Sequence, residues 1–300
     1  MKRLLATLAI PFILSACGSD DASDAYTFGL LLGEVKEGVA DINITVTSND
    51  DSELPNSNIK VSPLMLMASG IEHGTPFENA TGQLEEDGSF TSTAYFLMPS
   101  NMPSGMAMGD WSITVEFDGQ SQIFPITVDM GTSDVKTLKG GDSDQIMAMG
   151  DSSSTTDRTY YFYNRGRHIN AEMSMNAFEV YVAARESMMD YQAISEGNIL
   201  NEGSMHVLNI ASVVVDMCTS NCDVEGNWKT AVEDTDYPGI YKASELGLVG
   251  DDTDTVMVRL TVNNELKDDG TLASNENTPS TYVMFTFDDS SDDSSMNHEM

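Results

Sequence analysis

The sequence predicts an all-β protein: two immunoglobulin-like β-sandwich domains in tandem behind a signal peptide. Three observations predict it. Short runs rich in valine, isoleucine, threonine and aromatic residues alternate with polar positions, the period of half-buried strands. Turn residues punctuate these runs, and long helical patterns are absent. The chain has 300 residues and is 40% hydrophobic, which suits about two domains with packed cores.

The N-terminus reads as a targeting segment and is set aside before fold reasoning. Lys2 and Arg3 give a positive end, and residues 4–14 are apolar but too short to span a bilayer as a helix. Leu14-Ser15-Ala16-Cys17 resembles a bacterial lipobox. The resemblance implies a signal peptide over 1–16, acylation of Cys17, and attachment to the membrane through the N-terminal lipid. Gly18 follows in place of an aspartate, which in such lipoproteins implies the outer membrane, facing the periplasm or the surface. Residues 17–25 are then a polar tether.

The first sandwich is predicted over 26–130. A hydrophobic run over 26–35 opens it. Ile42, Ile44 and Val46 alternate with polar residues, and 59–61 continues into the next strand. Glu86-Asp87-Gly88 predicts a hairpin between 81–85 and 89–97. Trp111, Ile113, Val115 and Phe117 share one face, and Asp118-Gly119 is a two-residue hairpin turn. Phe124, Ile126, Val128 and Met130 alternate again, with Pro125 placing that strand at an edge or a bulge. About seven short strands result, the count of an immunoglobulin-like sandwich.

Residues 131–157 are glycine- and serine-rich and read as a linker. The second sandwich is predicted over 158–287. Its strands are the aromatic run 160–163, the alternating Phe178, Val180 and Val182, the apolar 207–215, then 228–232, 240–246, 256–262, and Val283, Phe285 and Phe287. The acidic tail 288–300 is predicted to be disordered.

Charge narrows the function. Loss of Lys2 and Arg3 with the leader leaves twelve basic against forty-eight acidic residues, a formal charge of −36. Such a surface repels nucleic acid and anionic lipid headgroups, which excludes a nucleic-acid partner. With Cys17 assigned to lipid, Cys218 and Cys222 remain, and in an oxidising compartment a disulfide between them is expected. The pair could also ligate copper or exchange redox state, but no histidine lies near it in sequence.

The chemistry-bearing stretch is 63–117. It holds six of the twenty methionines, Met65, Met67, Met98, Met102, Met106 and Met108, and one of four histidines, His73. Thioethers and an imidazole form the ligand set of a soft metal, copper(I) above all. Methionine is equally a plastic core filler. Over 58–128 the chain resembles the YtkA-like periplasmic domain, related in style to the copper-binding CopC-type sandwiches. The likeness lies in Met65 and Met67, the His73-Gly74-Thr75-Pro76 turn, Asp87-Gly88-Ser89-Phe90 and Met108-Gly109-Asp110-Trp111. It implies a β-sandwich and copper held by methionine and histidine.

Other candidates are plainer. Asp251, Asp252 and Asp254, and Glu233, Asp234 and Asp236, are acidic clusters without the spacing of a calcium loop. Arg165, Arg167 and His168 form a basic cluster suited to an acidic partner or to an acidic patch of the same molecule. His206 stands alone. The chain has no Gly-x-Ser-x-Gly elbow, His-Glu-x-x-His pair or glycine-rich phosphate loop, so no enzyme is expected. The leading expectation is an envelope binding protein with a copper site. The alternative is a structural or adhesive lipoprotein meeting a protein or glycan through its loops.

Overall fold

A computed structural model describes residues 24–33, 35–131, 134–141, 143–148, 151–169, 176–250, 254–270 and 279–287. The expected signal peptide 1–16, Cys17 and the expected acidic tail 288–300 lie outside the described residues. The architecture is all-β, with two immunoglobulin-like sandwiches in tandem.

In the first half, Tyr26–Leu32, Gly38–Ser48, Ser89–Phe96 and Phe77–Glu78 form one sheet in that spatial order. The facing sheet runs Glu72–His73, Asn58–Met67, Gly109–Phe117, Gln120–Ile126, with Thr81–Gln83 added to one end of Asn58–Met67. Alternation decides which side chains meet between them. Ile42, Ile44, Val46, Phe90, Ala94 and Phe96 from the first sheet pack on Ile59, Val61, Met65, Trp111, Ile113, Val115 and Phe117 from the second.

The turn at Gly88 forms, but its flanking strands pair in different sheets, so it is a corner and not a hairpin. Asp118-Gly119 is a true hairpin. Both residues have positive φ, 47° and 81°, the twist that suits right-handed strands. Pro125 sits on the edge strand Gln120–Ile126, where a missing N–H costs no ladder bond. Pro63 lies inside Asn58–Met67, between the stretches that pair with Thr81–Gln83 and with Glu72–His73. Its lack of a donor coincides with that gap.

The linker expected over 131–157 is not what forms. Val135–Lys139 pairs with Thr159–His168 and belongs to the second sandwich, and Gln145–Ala148 pairs with Asp151–Asp157. The cause is a sparse apolar pattern under the polar composition: Leu138 and Ile146 are buried. Threonine-rich segments also suit strands.

In the second half, Val135–Lys139, Thr159–His168, Ala177–Arg185, Ile240–Ser244 and Val232–Glu233 form one sheet, with Tyr191–Ala193 also on Ala177–Arg185. Facing it are Lys229–Thr230, Val213–Cys218, Thr255–Val262 and Glu265–Leu266, with Val283–Thr286 also on Thr255–Val262. The apolar 207–215 does not make one strand. Leu208–Asn209 pairs with Ile199–Leu200, and Val213–Cys218 joins the facing sheet. Asn263 holds the break between them by accepting from Ala211 N at 2.7 Å and donating to Asn209 O at 2.8 Å.

The two halves share a third apolar cluster. On Thr159–His168, Tyr160 and Phe162 point into the second core while Tyr161 and Tyr163 point the other way. Tyr163, Tyr181, Ala183 and Ile240 pack with Tyr95, Val39 and Leu97 of the first half. Tyr95 stacks on Tyr181 at 4.0 Å between centroids and tilts against Tyr163 at 5.0 Å.

Candidate functional site

The methionine–histidine stretch lies on the second sheet of the first half and the loop leading into it. Strand pairing places His73 opposite Met65, and Met65 opposite Trp111, so the three share one row. Met65 is fully buried and His73 is 8% exposed. Burial and the nearby Arg185 guanidinium hold the His73 imidazole below its ordinary value, so it is neutral at pH 7. Its Nδ1 is buried with no hydrogen-bond partner among the described residues.

Met67, Met98 and Met108 are partly buried against the same core, and the Met98 carbonyl accepts from Trp111 Nε1 at 3.1 Å. Met102 and Met106 close a turn, with Met102 N donating to Met106 O at 2.8 Å, and are exposed. The seven candidate ligands therefore divide. Met65, Met67, Met98 and Met108 supply apolar packing, Met102 and Met106 face solvent, and His73 joins Met65. Among the described residues no group of three or more His, Cys, Asp or Glu is placed to hold a metal.

Cys218 and Cys222 are disulfide-bonded, with their Cα atoms 5.8 Å apart. The bridge shapes the turn that presents Trp228, whose indole N–H donates to Cys222 O at 2.8 Å. Arg259 lies 4.4 Å over the Trp228 ring and pairs with Asp216 at 3.0 Å and with Glu225.

The basic cluster turns inward upon the molecule. Arg165 pairs with Glu78 of the first half at 3.1 Å and with Glu179 at 2.9 Å, and donates to the Tyr95 hydroxyl, which donates to Glu78. Arg167 pairs with Asp254 at 3.0 Å and lies 4.2 Å over Phe287. His168 Nε2 is 3.6 Å from Glu179. Asp254 also accepts from Val249 N and Gly250 N, and Asp234 from Asp236 N and Tyr237 N. In both acidic clusters, then, described carboxylates cap turns. Asp251 and Asp252 lie outside the described residues.

Two polar features escaped the sequence reading. One is the Glu78–Tyr95–Arg165 contact between halves. The other is a buried cluster of Asp144, Arg158 and Lys267 inside the second half. A signal for the first was present. The TYYFY run of 159–163 is apolar at consecutive positions, the mark of a strand covered on both faces.

No protein-family model and no characterised protein sequence matches the chain. The resemblance over 58–128 thus rests on its motif residues. Among solved structures, it is similar to FdeC, described as a broadly conserved Escherichia coli adhesin, at 11% identity and a TM-score of 0.25. That match covers 81% of this chain and 61% of that one. It is also similar to domains 4–9 of the surface layer protein SbsC, at 14% identity and a TM-score of 0.23, covering 87% and 30%. The chain thus spans less than two thirds of either structure's length.

Proposed function

We propose that this is a lipid-anchored structural or adhesive protein of the cell envelope that meets a protein or glycan partner through its loops. The observation that carries the reading is the buried seam of Tyr95, Tyr163 and Tyr181 between the sandwiches. It fixes one half against the other, so that the loops of both form a set array on a strand-built frame. Loops on such a frame are the usual site of recognition. The charge of the mature chain favours neutral or cationic partners over nucleic acid.

The test is a strain lacking the protein, complemented with the wild type or with Cys17→Ser. Stable anchoring needs the acyl chains, so Cys17→Ser leaves the membrane fraction. Cells without the protein, or with the released form, adhere less to immobilised glycans and proteins or become more sensitive to detergent. Unchanged adhesion and envelope integrity in the deletion strain would overturn the reading.

One observation favours a second reading, copper(I) binding: the buried His73, whose Nδ1 has no hydrogen-bond partner among the described residues, stands in register with Met65. Met102 and Met106, which are exposed, would with Met108 supply the thioether ligands. A copper(I) competition titration on the full chain tests it. His73→Ala weakens binding, and replacing Met102, Met106 and Met108 together by leucine, at under about 1.5 kcal/mol of stability each, abolishes it. Equal uptake by wild type and both variants means that these residues only pack.

A further inference from the structure

The second half contains an ion cluster that neither reading uses. Asp144, Arg158 and Lys267 are 3%, 0% and 2% exposed. Arg158 Nε donates to Asp144 Oδ1 at 2.6 Å, and its remaining N–H groups donate to Arg185 O at 3.3 Å, Asn201 Oδ1 at 2.6 Å and His206 O at 3.1 Å. The Tyr160 hydroxyl donates to Asp144 Oδ2. Lys267 Nζ lies 3.6 Å from that same Oδ2, 2.8 Å from Glu265 Oε2 and 3.1 Å from Gly140 O. The Glu265 side chain is 41% exposed and so connects the cluster to water.

An amine and a carboxyl held this close in a dry site are reactants as well as an ion pair. Positioning alone replaces much of the barrier to their condensation, and burying the two charges costs free energy that a neutral amide avoids. We propose that Lys267 and Asp144 join in an intramolecular isopeptide bond.

Glu265 takes a proton from the Lys267 ammonium, and the freed amine attacks Asp144 Cγ. Charge developing on Oδ1 is held by Arg158 Nε–H, an oxyanion contact already formed. Oδ2 is the leaving oxygen. It receives one proton from Tyr160, which is restored from the attacking nitrogen, and the other back from Glu265. A C–N bond forms, a C–O bond breaks and one water leaves. The ammonium gives up two hydrogens to that water and keeps one as the amide N–H. No oxidant, metal or cofactor enters. In the product the amide oxygen keeps Arg158, the amide N–H has Gly140 O or Glu265 as acceptor, and the Glu265 carboxylate remains as the anion of the cluster. The bond would tie the segment before Thr159–His168 to the one after Glu265–Leu266, independently of what the loops bind.

Peptide mapping of the full chain reads the bond directly. Trypsin cuts after Lys139, Arg158 and Arg259, and an acylated Lys267 resists it. The expected product is peptide 140–158 joined to 260–300, lighter than their sum by one water, with loss of the free peptide 260–267. Lys267→Arg keeps the cation but cannot condense, and returns 140–158 as a free peptide. Glu265→Gln, on a half-exposed side chain, slows the joining in freshly made protein. Wild-type chain that yields 140–158 and 260–267 separately would overturn the proposal and leave an ordinary ion pair. Joining at an unchanged rate in Glu265→Gln would overturn the proton route.

Discussion

Arg165 divides one positive charge between two carboxylates whose surroundings differ. Burial pushes the Glu78 carboxyl up, and the attraction of Arg165 and the Tyr95 hydrogen bond do not fully offset it. Burial also pushes Glu179 up, but there hydrogen bonds from His168 and Arg165 outweigh it and hold the carboxyl at about 2. The signs therefore oppose. Glu179, depressed in the fold, contributes stability that is present above its ordinary value of 4.5 and lost as pH falls toward about 2. Glu78, raised in the fold, contributes stability that is present below 4.5 and lost as pH rises through its folded value. Carboxyl-carbon NMR should thus find Glu78 protonating first as pH falls, and Glu179 only in strong acid. Arg165→Met should bring Glu179 up toward 4.5, since one of its two donors is gone. Coincident midpoints for the two carboxyls in the wild type would refute this division.

At the scale of elements, what the sequence disclosed followed from local physics. The strands around Ile42–Ile44–Val46, Trp111–Phe117 and Val256–Val262 were readable because one face meets the core and the other meets water, which writes a period of two. The Asp118-Gly119 hairpin was readable because two residues at positive φ need those residue types. The disulfide followed from compartment and count. Ala177–Arg185 was readable from the alternating Phe178, Val180 and Val182, but eight of its nine residues are buried, and the covering of its other face by the first half was not readable. The segment 131–157 was misread because composition counted serine and glycine and missed the isolated Leu138 and Ile146 that anchor it. The basic cluster of Arg165, Arg167 and His168 was legible as suited to an acidic patch of the same molecule, but the partners in the polar contacts were not. Glu78 and Arg165 stand 87 positions apart, and the residues meeting at Lys267 Nζ up to 127. Only the fold brings them together. The division of the methionines into packed and exposed was equally hidden, because Met98, Met102 and Met106 sit in a loop whose path tertiary contacts set.

For the whole molecule, the question is whether two sandwiches unfold as one. Each has its own core, so on cores alone they could melt separately, and multidomain chains commonly do. The seam argues for coupling. Tyr95 is fully buried, lies against Tyr181 and Tyr163, and shares its hydroxyl with Arg165 and Glu78. Gly74 N adds a bond to Met188 O at 3.0 Å, and a side chain on Gly74 would collide with the Met189 carbonyl, so the backbones are in close contact. Truncating a buried aromatic costs about 3–5 kcal/mol, and here most of that loss would fall on the contact between halves. The chain carries its own reporters. It has two tryptophans, Trp111 in the first half and Trp228 in the second. With Trp228→Phe or Trp111→Phe isolating each signal, thermal melts of the otherwise wild-type chain should give midpoints that move together when conditions change. Tyr95→Ala should part them by several degrees, at about 4–8 °C per kcal/mol for a half of about 100 residues and about 2–4 °C for a larger one, with the less stable half melting first. Two midpoints in the wild-type background that Tyr95→Ala leaves where they were would mean that the seam is contact without coupling, and the fixed array of loops would lose its physical basis.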